Sequence, residues 1–365
     1  MPRVQFACMT RPGAAVEVRD APEPDLEPGG ALLRVVLSEV CGTDVHLLHG
    51  RLQGVPYPFI PGHVAVGVLE KVRGDLTDVE GRPLREGQPA TFLDVHRTCN
   101  ACWYCLVAKA STRCPERRVY GITYGLDDGL TGGWAEKIVL KPGTRILPLA
   151  ESAFERFMAG GCALPTALHA VERAEVAIAD TALVLGTGPV GLASVILSRM
   201  RGAGRVLAIG APALRVETAR AVGASDALDF TGRSVEERLE WVRSLTGGRG
   251  ADATIEATGR PEAVAEAMRF TRDAGRVVVA GQYTDGGETA FNPHRDLNRK
   301  HLEVRGCWGS DYSHFHRAAL LAEHPDLSAP FERIPLVRYG LDGVNEALKK
   351  VARGEVVKAL VDPAM

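Results

Sequence analysis

The sequence predicts an α/β protein of two domains, a partly closed β-barrel followed by a doubly wound parallel sheet. Three observations carry this. The chain has 365 residues, more than one hydrophobic core usually serves, which favours two domains. Its first part reads as short strands broken by Gly and Pro. From about Cys162 onward, apolar strand runs alternate with amphipathic helical stretches.

In the first part the strand runs are ALLRVVLSEV, HVAVGVLEKV, GQPATFLDV and GGWAEKIVL, a spacing typical of a barrel. Next, TALVL leads into a helix from Pro189 to Met200, RVLAI into Ala213 to Val222, and ATIEA into Pro261 to Phe270, before RVVVA. Such alternation implies parallel strands joined by crossover helices. Ser234, three residues ahead of Glu237, forms a capping box at another helix start. LEVRGCWG reads as an edge strand, and GEVVKALVDP as a strand returning elsewhere. The expected domains are residues 1–163 with 309–365, and residues 164–308.

Composition narrows the function classes. The chain is 45% hydrophobic and 24% charged, ordinary for a globular protein, and its net charge of -2 argues against a nucleic-acid partner. No apolar run is long enough to span a bilayer, and MPRVQFACMTRPG lacks the apolar stretch of a signal peptide. A cytoplasmic protein without membrane contact is expected. In that reducing setting eight cysteines point to metal or catalysis rather than disulfides.

GTGPVG places Gly186, Gly188 and Gly191 in a G-x-G-x-x-G between a strand and a helix, the context that gives the motif meaning. Gly186 permits a tight turn, Gly188 lets the backbone approach a pyrophosphate, and Gly191 lets the helix pack on the strand. With Pro189 and Val190 they form the turn whose helix N-terminus offers N–H groups and a positive dipole end to phosphates. The following strand ends at Gly210 without the acid that usually reads the adenosine ribose. Arg215 is a nearby cation, and NAD and NADP both stay open.

Cys99-x2-Cys102-x2-Cys105-x8-Cys114 is the strongest metal signal. Four thiolates close a tetrahedral shell around Zn2+ and leave no position for substrate, which makes the site structural. Free thiols, disulfides or a nucleic-acid zinc ribbon are the competing readings, the last at odds with the charge balance. Cys41, His63 and Cys162 are dispersed, and each alone reads as a packed core residue.

Taken in order, CGTDVH, PGH, the four-cysteine loop, Gly132 to Glu136, GTGPVG and IEATG resemble the zinc-containing medium-chain dehydrogenase/reductase family, of which alcohol dehydrogenases are the best-known members. The resemblance covers nearly the whole chain. It implies a GroES-like partly open barrel as catalytic domain, a Rossmann domain for NAD or NADP, and two zinc ions per chain. It implies that Cys41, His63 and Cys162 hold a catalytic zinc with a fourth position for water or an alcohol oxygen, and that Asp44 hydrogen-bonds the histidine ligand. Thr43 and His46 match the family's proton relay, passing the alcohol proton through the cofactor ribose to solvent. Lys358 matches a cationic contact to the pyrophosphate. The implied reaction is hydride transfer between an alcohol, secondary, cyclic or polyol, and NAD(P), in a homodimer or homotetramer.

The chain departs from the family at Val64, where relatives carry a glutamate after the histidine ligand. On this reading the zinc, with two thiolates and a neutral imidazole, is formally uncharged and a better Lewis acid. Val64→Glu is then expected to raise the apparent pKa of the pH-rate profile. Leu47, Tyr57, Val95, Tyr124 and Trp308 are candidate pocket walls. Two other readings compete: a zinc-free quinone or enoyl reductase on the same fold, and a dinucleotide-binding sensor without turnover.

Overall fold

A computed structural model describes residues 2–365. They divide into two compact units: residues 2–162, Asp311–Ser328 and Pro335–Met365 form the first, Ala163–Ser310 and Ala329–Ile334 the second. The segment Ala329–Ile334 thus departs from the expected division, which placed it with the barrel. The physical reason is local to the second unit. Phe331 is buried, and Arg333 donates to the carbonyl of Ala221 at 2.8 Å, one of the carbonyls a helix leaves unpaired at its C-terminal end.

In the first unit the strand Ala31–Val40 is the hub. It pairs antiparallel with Ala65–Val72 over most of its length, with Lys137–Leu140 at its start and with Lys358–Val361 at its end. Pro89–Phe92, Ile146–Pro148 and Leu336–Tyr339 extend the same sheet. Register shifts between Leu32 and Leu33 and between Val35 and Leu37 bend the hub strand, and the sheet curls into the GroES-like partly open barrel. Alternate residues Ala31, Leu33 and Val35 enter one core with Leu69, Phe92, Tyr120 and Ile138. A second core gathers Phe6, Phe59, Trp134, Leu47 and Leu348. Burying a side chain such as Phe59 contributes about 1.5–3 kcal/mol.

The second unit is a six-stranded sheet in the order Asp226–Asp229, Arg205–Gly210, Thr181–Leu185, Ala251–Glu256, Thr271–Val279, Glu303–Gly306. Every neighbouring pair is parallel, the doubly wound Rossmann order. Apolar residues such as Leu183, Leu207, Ile209 and Val277 fill its core. The order reverses between Thr181–Leu185 and Ala251–Glu256, and the crevice at the C-terminal ends of those strands is where this architecture takes ligands. The helices Pro189–Met200 and Pro261–Phe270 match the sequence expectation residue for residue, each opened by a proline that needs no N–H partner. The Ser234 capping box forms, with Glu237 N–H donating to Ser234 Oγ at 3.2 Å. Glu303–Gly306 lies at the sheet edge, as its sequence predicts. No helix among the described residues is long and apolar enough to cross a membrane.

Candidate functional site

Two clusters of metal-binding side chains form in the first unit. Cys99, Cys102, Cys105 and Cys114 bring their sulfurs within 4.8 Å of one another, compared with about 3.8 Å between sulfurs of a tetrahedral site with 2.3 Å bonds. Backbone amides aim inward: Cys99 N–H donates to Cys114 Sγ at 3.2 Å and Cys102 N–H to Cys99 Sγ at 3.3 Å. The amides of Ala101 and Cys102 lower the Cys99 thiol to about 7. Burial, with Cys102 and Cys114 beside it, pushes Cys105 up to about 12. Thiols so crowded compete for protons, and a divalent cation would relieve that competition.

The second cluster is assembled from four loci. The hub strand ends at Val40 and the helix Gly42–Leu48 starts directly after, with Cys41 as its extended N-cap residue. Asp44 Oδ2 accepts the Cys41 N–H at 2.8 Å and fixes that corner. Glu39 and Cys41 are two apart in extended chain, which turns both side chains to one side. His63 arrives where Ala65–Val72 begins, opposite the end of the hub. Gly62 precedes it with φ +86°, and a Cβ there would lie 2.6 Å from the Trp134 ring, which leaves the position to glycine. Cys162 follows Gly161, and its N–H donates to Glu39 Oε1 at 2.9 Å.

These four residues form the site. Donor atoms of Glu39, Cys41, His63 and Cys162 all lie within 4.8 Å of one another. Glu39 is wholly buried, and its Oε2 forms an ion pair with Lys358, itself 2% exposed. A hydrogen bond from Cys162 lowers the Cys41 thiol well below its usual range, against burial, and the same contact raises Cys162. Burial opposes a charge on His63, yet the Cys41 thiolate, with Asp44 and Glu39, holds it up at about 10. The His63 ring lies between the Cys41 sulfur and the Glu39 carboxylate, surroundings that favour a positive charge. Two thiols, an imidazole and a carboxylate at this range fit a zinc ion.

Three expectations change. Lys358 does not stand out as a solvated cation for a pyrophosphate, because its ammonium is buried against Glu39. The hydrogen bond expected between Asp44 and the His63 ring is not formed: Asp44 Oδ1 and His63 Nδ1 are both buried without a partner. The second Asp44 oxygen is committed to capping the helix. Nor does the site lack a carboxylate because position 64 is valine. Val64 is 1% exposed, and its carbonyl accepts from Ser38 Oγ at 3.0 Å, while Glu39 brings the acid from the hub strand.

Thr43 and His46 lie on the helix Gly42–Leu48 beside Cys41 and are both partly exposed. His46 Nδ1 has no partner, and burial, with Arg51 nearby, lowers its pKa. Among the proposed pocket walls, Leu47 and Tyr124 are core residues. Trp308 stacks on Tyr283 at 5.6 Å.

In the second unit each motif glycine has a separate physical reason. Gly186 turns at φ +103°, and a Cβ there would sit 2.6 Å from Ala257 O. A Cβ at Gly191 would overlap the Gly186 carbonyl, whereas one at Gly188 meets nothing within 4 Å. That open space adjoins the start of the helix Pro189–Met200, where Val190 and Gly191 carry N–H groups that the helix itself cannot pair. Gly210 packs against the Thr187 side chain, and any side chain at 210 would displace it. Arg215 is part-buried and burial lowers its pKa.

The chain matches the alcohol dehydrogenase GroES-like domain over residues 27–151 and the zinc-binding dehydrogenase domain over residues 189–323. It is 32% identical to 5-exo-hydroxycamphor dehydrogenase of Pseudomonas putida over 96% of both chains. The chain belongs to the zinc-containing alcohol dehydrogenase family. A solved alcohol dehydrogenase from Thermotoga maritima superposes with a TM-score of 0.91 at 30% identity, covering 99% of this chain and 100% of that one. A zinc-binding dehydrogenase from Sinorhizobium meliloti, solved bound to NADP, gives 0.85 at 25% identity and 100% of both.

In this dehydrogenase, sequence reasoning missed Glu39 and Glu256. Glu39 carried a signal: an acid at the end of an otherwise apolar strand, two residues before a metal-ligand cysteine. Glu256 ends the strand beside the sheet's switch point, wholly buried. Its Oε1 accepts the Thr258 N–H and hydroxyl, both at 2.7 Å, and the Gly259 N–H at 3.1 Å. It holds the IEATG loop at the ligand-binding end of the sheet.

Proposed function

We propose that this dehydrogenase transfers a hydride between a secondary, cyclic alcohol and a nicotinamide dinucleotide, with one structural zinc at Cys99, Cys102, Cys105 and Cys114 and one catalytic zinc at Cys41, His63 and Cys162. The observation that carries the reading is the convergence of Cys41, His63 and Cys162, from three separate parts of the chain, on one buried cluster. When bound there, zinc supplies Lewis acidity toward an alcohol or carbonyl oxygen. Thr43 takes the hydroxyl proton, and His46, part-exposed with an unpartnered Nδ1, passes it to solvent. Gly186, Gly188, Pro189, Val190 and Gly191 hold the pyrophosphate, with open space at Gly188 for its approach. Gly210 and Arg215 border the adenosine end, where the strand ending at Gly210 itself carries no acid to read a ribose hydroxyl, and NAD and NADP both stay open.

The cyclic secondary alcohol follows from the hydroxycamphor dehydrogenase similarity. The edge strand Glu303–Gly306 suits association into a homodimer or homotetramer. The test is a panel of cyclic, acyclic secondary, primary and polyol alcohols with NAD and NADP in parallel, following reduced-cofactor absorbance. Turnover of cyclic secondary alcohols at the highest kcat/KM supports the reading. Preference for primary alcohols or polyols refutes the substrate class, and no reduction of either cofactor refutes the activity.

A further inference from the structure

Among the described residues, Glu39 is the carboxylate that lies within ligand range of the thiols of Cys41 and Cys162. It reaches the cluster from the strand side, next to His63, with Oε1 at 3.8 Å from His63 Nε2. Burying a carboxylate is costly unless its charge is matched, and the fold matches it on Oε2 through the fixed charge of Lys358. Oε1 accepts one hydrogen bond, from the Cys162 amide, and an ionised carboxylate oxygen has capacity for a further partner. Gly161 makes the pair sterically possible. With φ +52°, it lies where any Cβ would overlap both Glu39 Oε2 and Lys358 Nζ.

We propose that Glu39 is a fourth protein donor to the catalytic metal, and that Lys358 is the positioning residue that sets how far it engages. This rests on the zinc reading above and deepens it. The charges support it: a dication, two thiolates, a neutral imidazole, one carboxylate and one ammonium sum to zero, so Glu39 can approach the metal without leaving net charge buried. With Lys358 holding Oε2, the carboxylate is shared between ammonium and metal, and the fourth position can be yielded to substrate. Val64 fits the same arrangement, since a second acid there would leave one negative charge unmatched.

The test replaces zinc by cobalt(II) in the full-length protein and reads the visible d–d bands and the rate of metal loss to a chelator. It compares wild type, Glu39→Gln, Lys358→Met and the double variant, which removes both charges at similar volume and guards against misfolding from one unmatched charge. Expected are shifted d–d bands and metal loss about 10- to 100-fold faster in Glu39→Gln and in the double variant. Lys358→Met should shift the bands the opposite way and slow metal loss. Bands and release rates in the folded double variant indistinguishable from wild type overturn the proposal while leaving the zinc reading intact. If Cys41→Ser does not reduce bound metal, the zinc reading itself fails.

Discussion

Lys358 and Glu39, 319 positions apart in sequence, form a buried ion pair against the thiols of Cys41 and Cys162. Antiparallel register brings them together: Leu360 lies opposite Glu39, and Ala359 opposite Val40. Breaking one side of such a pair usually costs more than removing both, because a single buried charge is left without a partner.

Gly161→Ala tests the space this pair requires. The new methyl group would collide with both charged groups, in a left-handed backbone that disfavours side chains. We expect a loss of about 2–4 kcal/mol in unfolding free energy and loss of one metal per chain, read by calorimetry and elemental analysis. Wild-type metal content and melting temperature would contradict this.

The two motif glycines at 188 and 191 should separate binding from folding. Gly188→Ala places its methyl in open space, so the melting temperature should stay within about 2 °C while dinucleotide affinity falls at least about tenfold, or ~1.4 kcal/mol. Gly191→Ala meets the Gly186 carbonyl and should destabilise the fold itself. Thermal melts and fluorescence titration with NADH and NADPH distinguish the two, and equal melting temperatures would refute the assignment.

For His46 the pH dependence has a definite sign. Neutral imidazole accepts the proton, and burial, with the Arg51 charge, lowers its pKa from the usual 6.5. The active form therefore persists to more acid pH, and the acid limb of kcat should fall below pH 6.5. His46→Asn should remove that limb and lower kcat about 100-fold. An acid limb retained at the same pH in the variant would assign it elsewhere.

The four-cysteine loop should bind zinc more tightly as pH rises. Burial and the neighbouring thiols hold Cys105 up at about 12, so its proton must be displaced at neutral pH, and zinc uptake would release protons. Zinc titrations in two buffers of different ionisation enthalpy measure that release. Affinity independent of pH between 6 and 8 would exclude thiolate ligation here. Cys99→Ser should leave one zinc per chain and lower thermal stability.

Glu256→Gln replaces an acceptor of several bonds by a half-donor amide. Hydrogen bonds to charged groups contribute about 1.5–3 kcal/mol, and a loss of that size is expected in chemical unfolding. Unchanged stability would mean that the IEATG loop holds itself.

What the sequence could disclose followed from locality. The hub strand ran from Ala31 to Val40 in both readings, because its apolar run is bounded by Gly30 and by a cysteine that opens a helix. The glycine turn and the four-cysteine loop were legible because their geometry is written in short spacings. Lys358 was legible as a residue of interest but not its partner, since the pairing of distant strands is set by tertiary register. Asp44 was expected to hydrogen-bond His63, but that bond is not formed; its bond to the Cys41 N–H depends on where the helix starts. The exchange of Ala329–Ile334 to the second unit likewise rests on a contact with Ala221 that no local pattern marks.

The two metal clusters differ in when the growing polypeptide can complete them. The loop cysteines span 15 positions and are all present once that stretch has left the ribosome. The other cluster lacks its matching ammonium until Lys358 has been made, after the entire second unit. Glu39 therefore gains its matching charge only when the final strand docks on the hub, and on the proposed zinc reading loading of that cluster is a late, whole-chain event. A protein truncated before Lys358 would keep all four loop cysteines but would lack the ammonium that matches Glu39.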